Sequence, residues 1–257
     1  VISFRNEIRN IPLIIERLRK VSNLSQNFTI TEIIFVNDLS TDGSEEYLEK
    51  IAKTNRDIIL VNMARHSGVS ECVYAGLNIS TGDAVVYMDC DLQDPPELIP
   101  LMVDKMKNSP NCEVVYTVRT VRKGENFFKL KLTKLGYRFL RKISDIDLPI
   151  EAGDFKLLSR KIVDLLLKHQ EHKPFMRGIV SSLGFRQESI FYERQPRADG
   201  RKNTKFIFLS PKLIKNWLSS AFISFSDLPL RGTLYLGFIA SFFSGMYIFI
   251  VIIQKIL

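Results

Sequence analysis

An α/β fold organised around an open, largely parallel sheet is predicted by three features of this sequence. Short runs rich in β-branched and aromatic residues recur at 1–4, 33–36, 58–61 and 84–88. The segments between them carry apolar residues at helical spacing. Each run also breaks into a polar loop, and parallel strands joined by right-handed helical crossovers collect such loops along one edge of the sheet. That edge is where open α/β sheets bind ligands.

The bulk composition agrees with a globular chain long enough for one large domain, or for a domain with an appendage. Of 257 residues, 46% are apolar and 25% charged, so the information lies in their distribution. The net charge of +8 suggests an anionic partner: nucleic acid, an acidic lipid surface or a phosphorylated small molecule. Cys72, Cys90 and Cys112 are odd in number, widely spaced and set among apolar residues. They read as reduced packing residues of a cytosol-facing domain, without the paired spacing of a zinc site. The chain opens at Val1 already inside a strand and stops soon after Lys255, so it is expected to continue beyond both ends.

Taken in order, the first strand ends in Arg5-Asn6-Glu7 and is followed by a helix with Ile11, Ile14, Ile15, Leu18 and Val21 on one face. The second strand breaks into Asn37-Asp38-Leu39-Ser40-Thr41-Asp42-Gly43-Ser44, and a helix runs from about 44 to 53. After the third strand, Arg65-His66-Ser67-Gly68 opens a helix carrying Val69, Cys72, Val73 and Gly76. The fourth strand runs without a break into Asp89-Cys90-Asp91-Leu92-Gln93-Asp94-Pro95-Pro96-Glu97. Side chains alternate along a strand, so Asp89 and Asp91 share a face while Cys90 points away. Two converging carboxylates repel unless a cation sits between them, and oxygen ligands suit Mg²⁺ or Mn²⁺, with Gln93 as a neutral third donor. A polar turn is the competing reading of an isolated Asp-x-Asp. Pro95-Pro96 ends the strand and starts a helix, with Asp94 placed as its N-cap.

Phe4-Arg5-Asn6-Glu7, the stretch 36–44, Arg65-His66-Ser67-Gly68 with Ala75-Gly76, and the stretch 89–97, in that order, resemble the family 2 glycosyltransferases. Within that family the chain looks like the membrane-attached polyprenyl-phosphate glycosyltransferases, relatives of dolichol-phosphate mannose synthase and of bacterial undecaprenyl-phosphate sugar transferases. The resemblance implies a GT-A fold, a Rossmann-like sheet binding a nucleotide-diphosphate sugar. By motif it puts Asp38 on the nucleotide base and Glu7 in the nucleotide pocket, and it gives Asp89, Asp91 and Gln93 to the metal and diphosphate. The chain departs from the family pattern at Ser3 and Arg5, at Leu39 in place of Gly, and at His66 and Val69.

A further strand over 114–118 releases a basic segment, 119–143, with nine Lys or Arg between Arg119 and Lys142 against Glu125 alone. Phe128, Leu132, Leu135, Phe139 and Ile143 recur in it at helical spacing, the pattern of an amphipathic helix lying in a bilayer interface. A sheet-packed helix with a solvated basic face is the competing reading. Arg119 and Arg122 leave the strand end beside the inferred metal, and guanidinium forks match phosphate oxygens, so both are assigned to an acceptor phosphate. Residues 151–160 resemble the family's Gly-Asp-Phe element ahead of a helix, which makes Asp154 the catalytic carboxylate. A phosphate monoester is already largely ionised near neutral pH, so Asp154 positions the nucleophile as much as it deprotonates it. Residues 197–206 resemble the family's Arg-x-x-Gly-x-Ser-Lys-Tyr loop, lengthened and with Thr204 for Ser. In that loop Arg197 is assigned to the acceptor phosphate and Lys205 to the donor diphosphate.

The catalytic domain is thus expected over 1–209. An amphipathic juxtamembrane segment with Leu213, Ile214, Trp217, Leu218, Ala221, Phe222 and Phe225 follows over 210–231, and then a transmembrane helix over 232–254. Residues 232–253 are free of charge, enough to cross a hydrocarbon core of roughly 30 Å. The many Lys and Arg before the span place the catalytic domain on the cytosolic side. The expected activity is inverting, metal-dependent transfer of a sugar from a nucleotide diphosphate, with a UDP-sugar such as UDP-glucose favoured, to a polyprenyl phosphate. A processive polysaccharide synthase is the rival enzyme, yet Trp217 sits in Leu-Ile-Lys-Asn-Trp without the Gln-x-x-Arg-Trp of such synthases. An inactive membrane scaffold binding nucleotides or anionic lipids is the rival outside catalysis. Nucleic acid is disfavoured, because the basic segments are interleaved with apolar faces. Oligomeric state is left open, a homo-oligomer included.

Overall fold

The computed structural model of the chain describes residues 1–120, 152–168, 176–195, 197 and 228–256. Residues 121–143 of the interfacial helix region expected over 119–143, the juxtamembrane segment up to 227, and Arg122 and Lys205 lie outside these residues. The chain divides into two compact units, Val1–Leu132 with Leu148–Lys205, and Thr133–Asp147 with Phe206–Leu257.

The first unit carries a seven-stranded sheet of β1 (Ile2–Phe4), β2 (Ile33–Asn37), β3 (Ile58–Asn62), β4 (Ala84–Asp89), β5 (Cys112–Arg119), β6 (Ala152–Ser159) and β7 (Arg186–Tyr192), in the order β3-β2-β1-β4-β6-β5-β7. Strands β3, β2, β1 and β4 pair in parallel, as the strand-helix rhythm predicts. Strand β6 runs antiparallel to both β4 and β5, while β7 pairs in parallel with β5, so the sheet is mixed. Reversing β6 brings its N-terminal end to the same edge as the C-terminal ends of the six other strands. Every strand-end loop of interest therefore opens on one rim.

Among the described residues the unit also carries helices α1 (Ile11–Leu24), α2 (Ser44–Ala52), α3 (Val69–Ile79), α4 (Ile99–Asn108), α5 (Arg160–Lys168) and α6 (Met176–Ser182). The apolar stripe read from the sequence of α1, Ile11, Ile14, Ile15, Leu18 and Val21, is the set of residues it buries. At about 2 kcal/mol for each aliphatic side chain removed from water, that face contributes roughly 10 kcal/mol of gross transfer free energy. Pro12 sits in the first turn of α1, where a missing N–H breaks no helical hydrogen bond. In α3, Cys72, Val73 and Gly76 are buried as expected, but Val69 at the first turn is exposed. All three cysteines are free and buried.

The second unit holds α7, Leu228–Ile256, whose span Leu230–Ile256 contains an 18-residue window of mean hydropathy 2.3 with no buried residues. By length and composition it suffices to cross a membrane.

Candidate active site

The rim of the sheet gathers carboxylates and guanidinium groups from strand ends far apart in sequence. β4 ends at Asp89, and Ser3 on the neighbouring β1 donates its hydroxyl to Asp89 Oδ1 at 3.3 Å. The β4–β6 register runs to Tyr87 opposite Lys156, and continued by two residues it sets Asp154 across from Asp89. Gly153 lets β6 approach β5 there, since a Cβ at this position would stand 3.0 Å from Thr117 Oγ1. Beyond β4 the chain turns through Leu92, which holds φ 58° while its side chain is buried in the core. An αL leucine costs about 1–2 kcal/mol, and the anchored side chain holds it there. This turn aims Asp91 Oδ1 at the Gln93 amide, 3.1 Å away, with Asp91 only 8% exposed. Cys90 points into the core, as alternation requires.

The electrostatics of the cluster are unusual for acids so close to the surface. Burial pushes the Asp89 carboxyl up to about 7, and the neighbouring carboxylates Asp154, Asp91 and Asp94 push it the same way, against the Ser3 hydroxyl. Part of the Asp89 side chain still reaches solvent, but the adjoining acids leave little room for a second negative charge. A site that resists the charge of its own carboxylates favours a cation. Among the described residues no three His, Cys, Asp or Glu side chains converge as a ready-made metal cage. Two carboxylates and an amide fit a hard ion that completes its shell with water or ligand phosphate, the usual habit of Mg²⁺ and Mn²⁺ sites.

Three arginines face these acids. Arg197 forms an ion pair with Glu7 and stands 3.6 Å from Asp91 Oδ2. Arg194 lies 3.9 Å from the same Asp91 oxygen and 3.8 Å from Asp94 Oδ1. Arg119, at the end of β5, reaches Asp94 Oδ2 at 3.5 Å and donates to the Tyr192 hydroxyl at 3.3 Å. The segment after β7 that carries Arg194 and Arg197 is tied to the acidic loop by Gln195 N donating to the Gln93 carbonyl at 3.1 Å. Gln93 Nε2 returns a 3.4 Å bond to the Gln195 carbonyl. Glu7, 8% exposed, also accepts from Asn10 Nδ2.

The structure therefore brings Glu7, Asp89, Asp91, Gln93, Arg119, Asp154 and Arg197 to one rim. Arg197, expected on a phosphate, is seated on two carboxylates. Asp94 is no N-cap: Pro95 holds the cap position of the 3₁₀ turn Pro96–Leu98, and Asp94 is fully buried against Tyr192, Arg119 and Arg194. A cap residue has to face the first helical amides, and these partners draw Asp94 the other way. The sequence points to Asp94 only as a cap, and to Tyr192 and Arg194 not at all. The alternation of Ile190 and Tyr192, both buried, around the exposed Phe191 was the one local signal that β7 exists. Surface hollows lined by Arg19, Asn23 and Asn55 lie away from this rim.

Asp38 sits one loop away, its carboxylate accepting from the backbone N–H of Ser67 at 2.7 Å and of Gly68 at 3.2 Å, with His66 Nδ1 at 2.6 Å. It clamps the loop that opens α3. Asn6 does the same between β1 and β2: its backbone N–H donates to Ser40 Oγ at 3.0 Å and its side-chain Oδ1 accepts from the Thr41 backbone N–H at 2.7 Å.

Solved structures share this architecture. Glucosyl-3-phosphoglycerate synthase from Mycobacterium tuberculosis, in complex with Mn²⁺, UDP and glucosyl-3-phosphoglycerate, superposes with a TM-score of 0.56 at 17% identity, over 87% of this chain and 77% of that one. A mannosyltransferase from Pyrobaculum calidifontis, in complex with GDP-mannose and Mn²⁺, gives 0.51 at 19% identity, over 74% of this chain and 53% of the other. The fold is GT-A-like. In sequence, the chain is 39% identical over 241 residues to the uncharacterized glycosyltransferase YkcC of Bacillus subtilis, covering 94% of this chain and 72% of that protein. It is 31% identical over 247 residues to the bactoprenol glucosyl transferase of Shigella phage SfX, covering 96% of this chain and 78% of the relative. The model of Glycosyl transferase family 2 matches residues 1–167, which hold β1 to β6 and both Asp89 and Asp154, and the chain belongs to that family of glycosyltransferases.

Proposed function

We propose that this glycosyltransferase moves a sugar, with inversion, from a nucleotide diphosphate to a polyprenyl phosphate at the cytosolic face of a membrane. The observation that carries the reading is the Asp89–Asp91 pair ringed by Arg119, Arg194 and Arg197, a rim with places for both a cation and phosphate. Bactoprenol glucosyl transferases among its relatives supply the acceptor class, and glucose as the first sugar to try. A long isoprenoid stays in the bilayer at about 0.8 kcal/mol per CH₂, and α7 offers the matching anchor.

In this reading Asp89, Asp91 and Gln93 hold Mg²⁺ or Mn²⁺, which when bound offsets the charge growing on the departing diphosphate. Glu7 and Asp38 shape the nucleotide pocket, Glu7 through Arg197 and Asp38 through the 65–68 loop. Arg119 holds the acceptor phosphate, steadied by Tyr192 and Asp94. Asp154, opposite Asp89, orients the acceptor oxygen for attack on the anomeric carbon from the side away from the diphosphate. The acceptor oxygen–carbon bond forms as the carbon–diphosphate bond breaks, so the configuration inverts. Arg122 and Lys205 join the acceptor and donor ends respectively.

A panel of nucleotide sugars with polyprenyl phosphate in vesicles, with and without chelator, tests the reading on intact protein and on Asp91→Asn. Sugar transfer that chelator and Asp91→Asn both abolish is expected. Transfer unaffected by both, or none with any donor, refutes it.

A further inference from the structure

Arg194 and Arg197 do more in this fold than line a phosphate site. Their guanidinium groups stand 3.9 and 3.6 Å from one atom, Asp91 Oδ2, while Asp91 Oδ1 is committed to the Gln93 amide. Both arginines are largely buried, with side chains 26% and 18% exposed, so solvent screens these charges poorly. Their backbone is tied to the acidic loop by the paired Gln195–Gln93 bonds. Arg197 is held from behind by Glu7, which is itself buried.

We propose that Arg194 and Arg197 are internal counter-ions that compete with the divalent cation for Asp91, so that the acidic loop accepts metal readily only when a diphosphate arrives to take the arginines. The inference rests on the reading of Asp91 as a metal ligand. A dication on Asp91 alone would face two guanidinium groups across a few ångströms of protein, which is repulsive. When metal and diphosphate enter together, each guanidinium exchanges a carboxylate for phosphate oxygens, its better bidentate partner, and Asp91 exchanges guanidinium for metal. No charge is then left facing its own sign. The device keeps free cations from occupying the rim without substrate, and it makes nucleotide and metal binding mutually reinforcing.

The discriminating measurement is Mn²⁺ binding without nucleotide, by calorimetry or by the electron spin resonance of free Mn²⁺, on full-length protein. Arg194→Gln and Arg197→Gln should each tighten Mn²⁺ binding by about twofold to fivefold, the size of one partly screened ion pair. The same variants should weaken UDP binding in the presence of Mn²⁺ by about tenfold or more, the loss of a charge-assisted phosphate contact. Arg194→Lys, which keeps the charge, should leave nucleotide-free Mn²⁺ affinity near that of the unmodified protein, and circular dichroism melts identify any variant that is misfolded. Unchanged or weaker Mn²⁺ binding in folded Arg194→Gln overturns the competition while leaving the metal site standing. Mn²⁺ binding undiminished in Asp91→Asn overturns the metal site itself, and the competition with it.

Discussion

Replacing Asp89 by Asn exchanges a carboxyl that resists ionisation for a neutral group of the same shape. Its folded-state pKa of about 7 stands above the 3.8 of an ordinary Asp, so between those values the native chain holds a proton that the unfolded chain has released. The stability that this proton brings is complete below about pH 4 and is lost as pH climbs through 7. At about 1.4 kcal/mol per pH unit, the gap amounts to about 4 kcal/mol, reduced to about 2 by the solvent contact the side chain keeps. Asp89→Asn should therefore match the unmodified protein near pH 4 and exceed it by about 2 kcal/mol at pH 8, measured by urea unfolding in chelator. Adding Mn²⁺ together with UDP should reverse the order at pH 8, because the cation and its nucleotide stabilise only the chain that keeps both carboxylates. A metal-free Asn variant that is less stable at pH 8, or that shows the same pH slope as the unmodified protein, would refute the account of the site as a cluster of mutually repelling acids.

Other positions carry equally specific expectations. Asp94→Asn leaves Arg119 and Arg194 without their shared buried carboxylate; it should cost about 3 kcal/mol in urea unfolding and raise the acceptor KM more than it lowers kcat, whereas an unchanged KM would detach Arg119 from the acceptor. Gly153→Ala drives a Cβ against the buried Thr117, whose hydroxyl donates to the Phe155 carbonyl at 3.1 Å, and should cost about 1–3 kcal/mol while lowering kcat through displaced Asp154. Leu39, with φ 60° and largely exposed, should yield about 1 kcal/mol of added stability when changed to Gly, read as a higher melting temperature with unaltered kinetics.

What could be read from the sequence and what could not separate along the range of the interactions involved. Strands β1 to β4 and helices α1 to α3 are legible because each declares itself locally, through a 3.6-residue stripe such as Ile11, Ile14, Ile15, Leu18 and Val21, or through an apolar run bounded by turn formers. Alternation along a strand suggests the Asp89–Asp91 pair, but β4 ends at Asp89 and the turn through Leu92 sets where Asp91 points. A Gly at position 39, as the family resemblance has it, would suit this fold: the chain makes a left-handed turn there and tolerates it with a leucine whose side chain points largely to solvent. The other half of the site is non-local. Asp94 meets Tyr192 about a hundred residues later only because β6 is inserted antiparallel between β4 and β5 and carries β5, and β7 beside it, to the same rim. Sequence proximity to Pro95-Pro96 argued for a helix cap, but one phenol and two guanidinium groups outweigh a capping bond worth about 1 kcal/mol. The resting partner of Arg197 escapes the sequence for a related reason. A motif gives the ligand that a side chain meets in the loaded enzyme, whereas the fold gives its partner when that ligand is away, and for Arg197 that partner is the acidic loop itself. Where cationic and anionic groups are each other's resting partners, substrate binding exchanges charges rather than creating them.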